Sequence, residues 1–315
     1  MKNLALTLIF IYFLPNYLLG DAHIFLMHRF DDKRYPSTNI STEQLKKDFQ
    51  YLKDNGYKVV SIDYMLQHLY EDKLVAFAID DGYESFYKNG LKLFKEFNYP
   101  FTIFVYTEAV DLGYPDFMTW SEIQSASKFG DIAIHSYKHP HLTHLDPISI
   151  MRDTQEAIES FKREMRKPPK YYAYPYGEYD ANSKEIIEAF GFDAIFNQTM
   201  GAISFGSDRY NLNRIPLIGD HNIKTKLRIK FLKVEWLKPT SYPTDGKLKR
   251  VVAKVPKGIK RVQLYVSGYS WINVDVDKNG VVDYNFQKPL TLKFRLTRIF
   301  IKTFDNRWGS TIIVK

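Results

Sequence analysis

The sequence predicts an α/β unit with a parallel sheet, followed by a separate all-β unit. Three observations point there. Short apolar runs alternate with helical stretches through roughly the first 200 residues, the pattern of strand–helix units with a parallel sheet. From about Arg228 the helical periodicity disappears, and β-rich runs alternate with turn residues. Charge divides at the same place. Residues 224–315 hold 21 Lys and Arg against 6 Asp and Glu, whereas the first 223 hold 23 against 30. A chain of 315 residues is long enough for two cores, and 45% hydrophobic with 16% aromatic residues is a globular composition.

Residues 1–22 read as a secretory leader. Lys2 supplies a positive start, residues 4–19 are mostly apolar, and Gly20 and Ala22 offer small residues for cleavage. Pro15 and Asn16 interrupt a run already short for a membrane span. The expected location is therefore periplasmic or extracellular. The sequence holds no cysteine, which argues against a lipid-anchored lipoprotein and excludes disulfides and thiolate metal sites. Any metal must be held by His, Asp or Glu.

The elements follow in order. Residues 23–27 (HIFLM) form a buried strand, and Ser41 with Gln44 caps a helix ending near Gly56. Residues 58–62 are a strand and 63–71 a helix. Residues 74–79 (LVAFAI) are continuously apolar, as in a parallel strand covered on both faces. A helix over 83–97, a strand over 100–106, a helix over 121–129 and a strand over 132–134 come next. Asp146-Pro147 opens a helix reaching about Met165. Then come a strand at 171–174, a helix at 183–190 closed by Gly191, and a strand at 194–196. Six or more such units in about 200 residues favour a distorted or incomplete β/α barrel, with a flat doubly wound sheet as the alternative. The runs VVAKV, VQLYV, WINVDV and TIIVK predict a C-terminal β-sandwich of roughly immunoglobulin size. Asp275, Asp277 and Asn279 have the register of a calcium loop, but Phe286 stands where a bidentate Glu is required, so Asn279-Gly280 reads as a hairpin turn.

Two clusters carry chemistry. Asp80-Asp81-Gly82 follows the apolar run 74–79, and paired carboxylates at a buried strand end need a metal or hydrogen bonds to offset desolvation. His135 and His139, followed by Pro140, come straight after another strand and can face one ion. Both clusters fall at strand C-termini, where β/α barrels place their active sites.

Together these residues resemble the polysaccharide deacetylases of carbohydrate esterase family four, the NodB-homology domain. The family motif [ST]-F-D-D-G appears as Ala78-Ile79-Asp80-Asp81-Gly82, changed at its first two positions. H-[ST]-x-x-H-P is matched throughout by residues 135–140. R-x-P-Y-G appears as Ala173-Tyr174-Pro175-Tyr176-Gly177, with its arginine missing. Met27-His28-Arg29-Phe30 and Leu52-Lys53-Asp54-Asn55-Gly56-Tyr57 are similar to the poly-N-acetylglucosamine deacetylase type.

The resemblance covers roughly residues 23–220. It implies a NodB-type barrel over 23–223 and a metal-dependent removal of N-acetyl groups from poly-N-acetylglucosamine, peptidoglycan or a chitin-like polymer. It also implies the roles. Asp81, His135 and His139 hold a divalent metal, with zinc expected, and Asp80 is the base. His28 is the general acid, with His221 as its rival. The backbone N–H of Tyr176 stabilises the oxyanion. Arg214 is a candidate substitute for the missing arginine, with a surface arginine as the alternative. Trp120 is a candidate for the substrate cleft, with a core position as the alternative. A non-catalytic polysaccharide-binding or scaffold protein on the same fold is the competing reading. The basic sandwich, 224–315, is expected to meet an anionic envelope surface or a protein partner, and not nucleic acid.

Overall fold

The computed structural model describes residues 20–315, so the expected leader lies almost wholly outside the described residues. The N-terminal unit is built on a parallel sheet in the spatial order Ile215–Pro216, His23–Met27, Leu74–Asp81, Thr102–Val105, Asp131–Ile134, Tyr171–Ala173, Ala194–Phe196, with Lys58–Val59 pairing beside the start of Leu74–Asp81. Residues 212–216 join its ends. The Leu212 N–H donates to the Ile195 carbonyl and the Asn197 N–H to the Leu212 carbonyl, both at 2.9 Å, and Ile215 pairs with Phe25. The sheet is thereby drawn into the distorted barrel expected from the sequence.

Successive side chains of a strand point to opposite faces, and the barrel sorts them accordingly. Phe25, Met27, Phe77, Ile79, Ile103 and Ile132 pack outward on the helices. Ile24, Leu26, Ala76, Ala78, Phe104 and Ala133 belong to the inner cluster, where repeated alanines leave room for the two rings of Phe104 and Phe196.

Helix Thr42–Asp54 starts at the expected Ser41 cap, and helix Pro147–Met165 at the Asp146 cap. Three local expectations are corrected. The region 83–97 is not one α-helix: Phe86–Gly90 is a π-turn that runs into helix Leu91–Phe97. A Cβ at Gly90 would lie 2.8 Å from the Phe30 ring and 2.9 Å from that of Phe86, so the wider turn accompanies a close approach only glycine permits. The strand expected over 58–62 stops at Val59, because the Ser61 side chain caps helix Ile62–Gln67. The helix expected from Ser121 starts at Trp120, set by a Thr119–Glu122 capping box.

The C-terminal unit has two facing sheets. One orders Lys230–Phe231, Arg307–Val314, Leu296–Lys302, Arg261–Val266 and Ile272–Asp275; the other orders Glu235–Lys238, Lys247–Lys254 and Val281–Thr291. Both contribute to one apolar cluster that includes Val251, Val262, Leu264, Val282 and Ile301, so the β-sandwich expectation is met. At its Asn279-Gly280 turn, Asp277 Oδ1 accepts the N–H groups of Asn279 and Val281 at 2.9 and 2.7 Å. That carboxylate organises a turn.

The sandwich does not hang free. Leu227, Ile229, Phe231 and Trp308 pack on the outer barrel core, and the Phe231 N–H donates to Asp21 at 2.7 Å. His23 Nε2 bonds the Ile229 carbonyl at 2.8 Å, and burial pushes its imidazole from 6.5 down to about 4. The unfolded chain therefore takes up this proton near pH 6.5 and the folded chain only near pH 4. The stability tied to neutral His23 is complete above pH 6.5 and is lost as pH falls toward 4, roughly 3 kcal/mol in all. His23→Gln, which keeps a donor for Ile229, should reduce the fall in urea-unfolding free energy between pH 7 and 4.5 by about 2 kcal/mol. An unchanged acid limb would contradict this assignment.

Candidate metal centre and its carboxylate

The inner face of the barrel continues into the site. The inward positions Leu26, Ala78, Ala133 and Leu212 are each followed two residues later by His28, Asp80, His135 and Arg214. A period of two thus delivers four functional side chains from four segments to one end of one lumen. That end is the C-terminal one, as the motif positions require.

Asp81, His135 and His139 offer ligand atoms that all lie within 4.8 Å of one another. Asp81 Oδ1 is 3.5 Å from His135 Nε2 and 3.3 Å from His139 Nε2. Tetrahedral zinc with ligand bonds of about 2.05 Å separates its ligand atoms by about 3.3 Å. His135 Nδ1 bonds the Ala173 carbonyl at 2.8 Å, which fixes the tautomer that leaves Nε2 a lone pair. Burial, reinforced by His135, pushes His139 from 6.5 down to about 4, so it is neutral and able to ligate near pH 7. The donor set fits a divalent cation.

Asp80 sits beside this triad, its Oδ2 3.6 Å from His135 Nε2. Arg214 holds it, with Nη1 donating to Oδ1 at 2.6 Å and Nη2 to Oδ2 at 2.8 Å, while Nε donates to the Asn197 carbonyl at 2.8 Å. Arg214 is 0% exposed and Asp80 2%. Burial pushes the Asp80 carboxyl up, but Arg214, His135 and His28 together outweigh it and hold the group below the usual carboxylate value. Arg214 is therefore no surface arginine. It makes the paired contact with the Asp80 carboxylate that Ala173 cannot make.

The two rival histidines separate. His28 is buried close enough to Asp80 and His139 to act on the charge of both, and its Nδ1 has no protein partner. His221 is bound elsewhere, its Nε2 2.8 Å from Asp48 Oδ2 on helix Thr42–Asp54 and its Nδ1 3.0 Å from the Gly219 carbonyl. Tyr176 stands at the rim, 42% exposed, with its ring edge-on to His139 at 4.5 Å. Of its two readings, Trp120 takes the packing one and not the cleft. Its indole N–H donates to Asp111 at 2.8 Å and its ring lies against the outer core, because a half-buried indole needs an acceptor.

Strain concentrates here. Asp81, Ser136, His139 and Tyr176 have φ of 70°, 68°, 51° and 58°, a region non-glycine residues rarely adopt. Asp153, outside the motifs, and Ser136, within one, hold these turns in place. Asp153 accepts the N–H groups of Tyr137 and Lys138 at 3.1 and 2.8 Å, and Ser136 Oγ accepts that of His139 at 2.9 Å. Asp153 had a legible signal, an acid on the apolar stripe of its helix beside Ile150, Thr154 and Ala157. Tyr83, which hydrogen-bonds Asp81, had none; burial and the Asp81 charge push its phenol up to about 12, with Arg29 opposing.

Residues 69–195 match the sequence model of the family described as polysaccharide deacetylase. Among curated proteins the chain is similar to the poly-beta-1,6-N-acetyl-D-glucosamine N-deacetylase of Escherichia coli K12, 22% identical over 242 residues, 61% of this chain and 35% of that protein. The Staphylococcus aureus MSSA476 protein of the same name is 22% identical over 205 residues, 60% of this chain and 71% of that protein. The chain thus spans about a third of the length of the first of these relatives. The solved Streptococcus pyogenes deacetylase PplD in complex with acetate has a TM-score of 0.58 at 19% identity, covering 63% of this chain and 92% of that one. IcaB from Ammonifex degensii has 0.57 at 22%, with the same coverages. At these identities the likeness is one of fold.

His135→Ala should abolish zinc binding measured by calorimetry while leaving the far-ultraviolet circular dichroism unchanged. Full affinity in that variant would remove His135 from the ligand set. Asp153→Ala, which touches no ligand atom, should weaken zinc binding by about 10- to 100-fold, the usual effect of losing an outer-shell support.

Proposed function

We propose that this chain, which carries a polysaccharide deacetylase domain across residues 69–195, hydrolyses N-acetyl groups of an N-acetylglucosamine-containing polysaccharide outside the cytoplasm. The observation that carries the reading is the convergence of Asp81, His135 and His139 next to an Asp80 kept ionised by a buried arginine. The curated relatives named for this activity support the substrate class. The leader-like residues 1–22 support export.

A divalent cation held by the triad, with zinc expected, supplies Lewis acidity toward an acyl oxygen and a water. The rest falls to the chain's own groups. Asp80 takes the proton of the attacking water. Each of its oxygens keeps a lone pair beyond the bond to Arg214, and the guanidinium fixes the plane of the carboxylate. The N–H of Tyr176, on a turn held at φ 58°, is the donor for the charge that develops on the acyl oxygen. His28 gives a proton to the departing amine, so acetate and a free amino sugar leave with protons balanced. A degenerate, non-catalytic scaffold is the weaker reading, because the position vacated at Ala173 is served by Arg214.

The sandwich adds a second contact with the polymer or its envelope in this reading. Lys233, Lys257, Lys260 and Lys288 are exposed on it, and the surplus of cations draws anionic surfaces within a Debye length.

Zinc-loaded protein should release acetate from N-acetylglucosamine oligomers. Asp80→Asn should retain zinc and lose at least about 100-fold in turnover. His28→Ala should be similarly slow and His221→Ala close to the parent; the reverse order would transfer the acid role to His221. No acetate from the parent on any such oligomer would leave the scaffold reading standing. Arg214→Lys, which cannot form the paired hydrogen bonds, should lose most turnover while still folding.

A further inference from the structure

We propose that the C-terminal sandwich is part of the catalytic unit, and that Arg295, reaching from it to Glu178, is a positioning residue for the Tyr176 wall of the site. The proposal rests on the deacetylase reading for its catalytic half. The contacts run unbroken from one unit to the other. Arg295 Nη2 donates to Glu178 Oε1. Glu178 Oε2 lies 2.9 Å from His141 Nδ1, which also lies 3.0 Å from Arg295 Nη2, so either tautomer of His141 finds a partner in the pair. The His141 ring stacks on Tyr176 with centroids 4.0 Å apart and planes at 23°. Tyr176 in turn meets His139 at 4.5 Å.

Two features make this more than an ion pair between packed surfaces. Glu178 is 3% exposed and hydrogen-bonds, through its own N–H, the Pro175 carbonyl of the turn that carries Tyr176. Without Arg295 that turn would end on a buried carboxylate lacking its hydrogen-bonded cation, with Arg298 still acting on it through charge. The turn is also strained at Tyr176, and at Gly177 it passes so close to Gln198 that a Cβ would come within 2.3 Å of it. A strained turn keeps its geometry only when neighbours hold it, and the guanidinium is the holder from outside the barrel. Arg295 is itself placed by the sandwich: its carbonyl accepts the Lys315 N–H at 3.0 Å, and Leu296 pairs with Val314. A sandwich retained only as a polymer-binding appendage has no need of such a contact.

The test compares the full chain with Arg295→Ala, Arg295→Lys, Glu178→Gln and the double variant Arg295→Ala/Glu178→Gln, all zinc-loaded and below their melting ranges. Native-state hydrogen exchange at the amides of Gly177 and Glu178 reads the turn directly, with the strand His23–Met27 as internal reference. Exchange in Arg295→Ala should rise about tenfold or more at the turn and stay unchanged in the reference strand. Turnover of N-acetylglucosamine oligomers should fall about tenfold or more with KM within about threefold, as when a transition-state contact is lost. Arg295→Lys should recover part of both. The double variant should be no worse than the worse single, because the two residues act as one unit. Unchanged exchange at the turn, or a rise shared equally by the reference strand, overturns the proposal whatever the activity. Faster exchange at the turn with parental turnover overturns it too. A parent that releases no acetate defeats the deacetylase reading alone, and the exchange experiment still decides whether Arg295 orders the wall.

Discussion

The buried pair of Arg214 and Asp80 is the contact on which barrel and site both depend. Its two charges lie beside His28 and His135 at the end of a lumen otherwise lined mostly by apolar side chains, and each would be costly there alone. Together they bind one another through two hydrogen bonds, and the Nε donor of Arg214 is taken by the Asn197 carbonyl. Removing one partner of such a pair destabilises a protein by about 3–5 kcal/mol. The same contact joins the segment 212–216, which closes the sheet, to the strand Leu74–Asp81 at its centre. Closure of the fold and ionisation of the carboxylate are therefore one event.

Around that pair the barrel solves a second problem. A metal site needs ligands that converge, whereas strands carry side chains in parallel. Convergence comes from backbone turned into the left-handed region at Asp81, Ser136 and His139, and such turns persist only where hydrogen bonds determine them. Asp153 and Thr107, outside the recognised motifs, and Ser136, within one, supply those bonds from helices and loops. The neutral state of His139 has the same origin, since the burial that supports the turn also disfavours its charge.

Two of the places where the C-terminal unit joins this frame stand out. Ile229, Phe231 and Trp308 extend the outer core near the start of the chain's first strand, and Arg295 meets Glu178 at the catalytic rim. A unit so attached is a component of the barrel's surface, and a cut at residue 223 would expose apolar side chains and strand a buried carboxylate. The basic face and the packed face are separate properties of one domain.

The sequence by itself determined what local geometry encodes. Short apolar runs named most strands, Asp146-Pro147 set the start of the longest helix, and the resemblance carried by Asp80-Asp81 and His135 to Pro140 named the candidate ligands and base. Local patterns can do this because alternation and motif spacing are fixed within a few residues of chain. Tertiary structure alone decided the choices between distant residues. Arg214 and Asp80 are 134 positions apart, and surface or lumen was equally open to the arginine until the sheet closed. The sequence could not place His221 or His28; the fold puts His28 in the lumen and holds His221 on Asp48, 173 positions away. Trp120 was open to cleft or core until its indole found Asp111, and the reach of Arg295 to Glu178 across 117 positions had no local trace. Such contacts are set by how strands and sheets pack, and packing is a property of the whole fold that no short window of sequence contains.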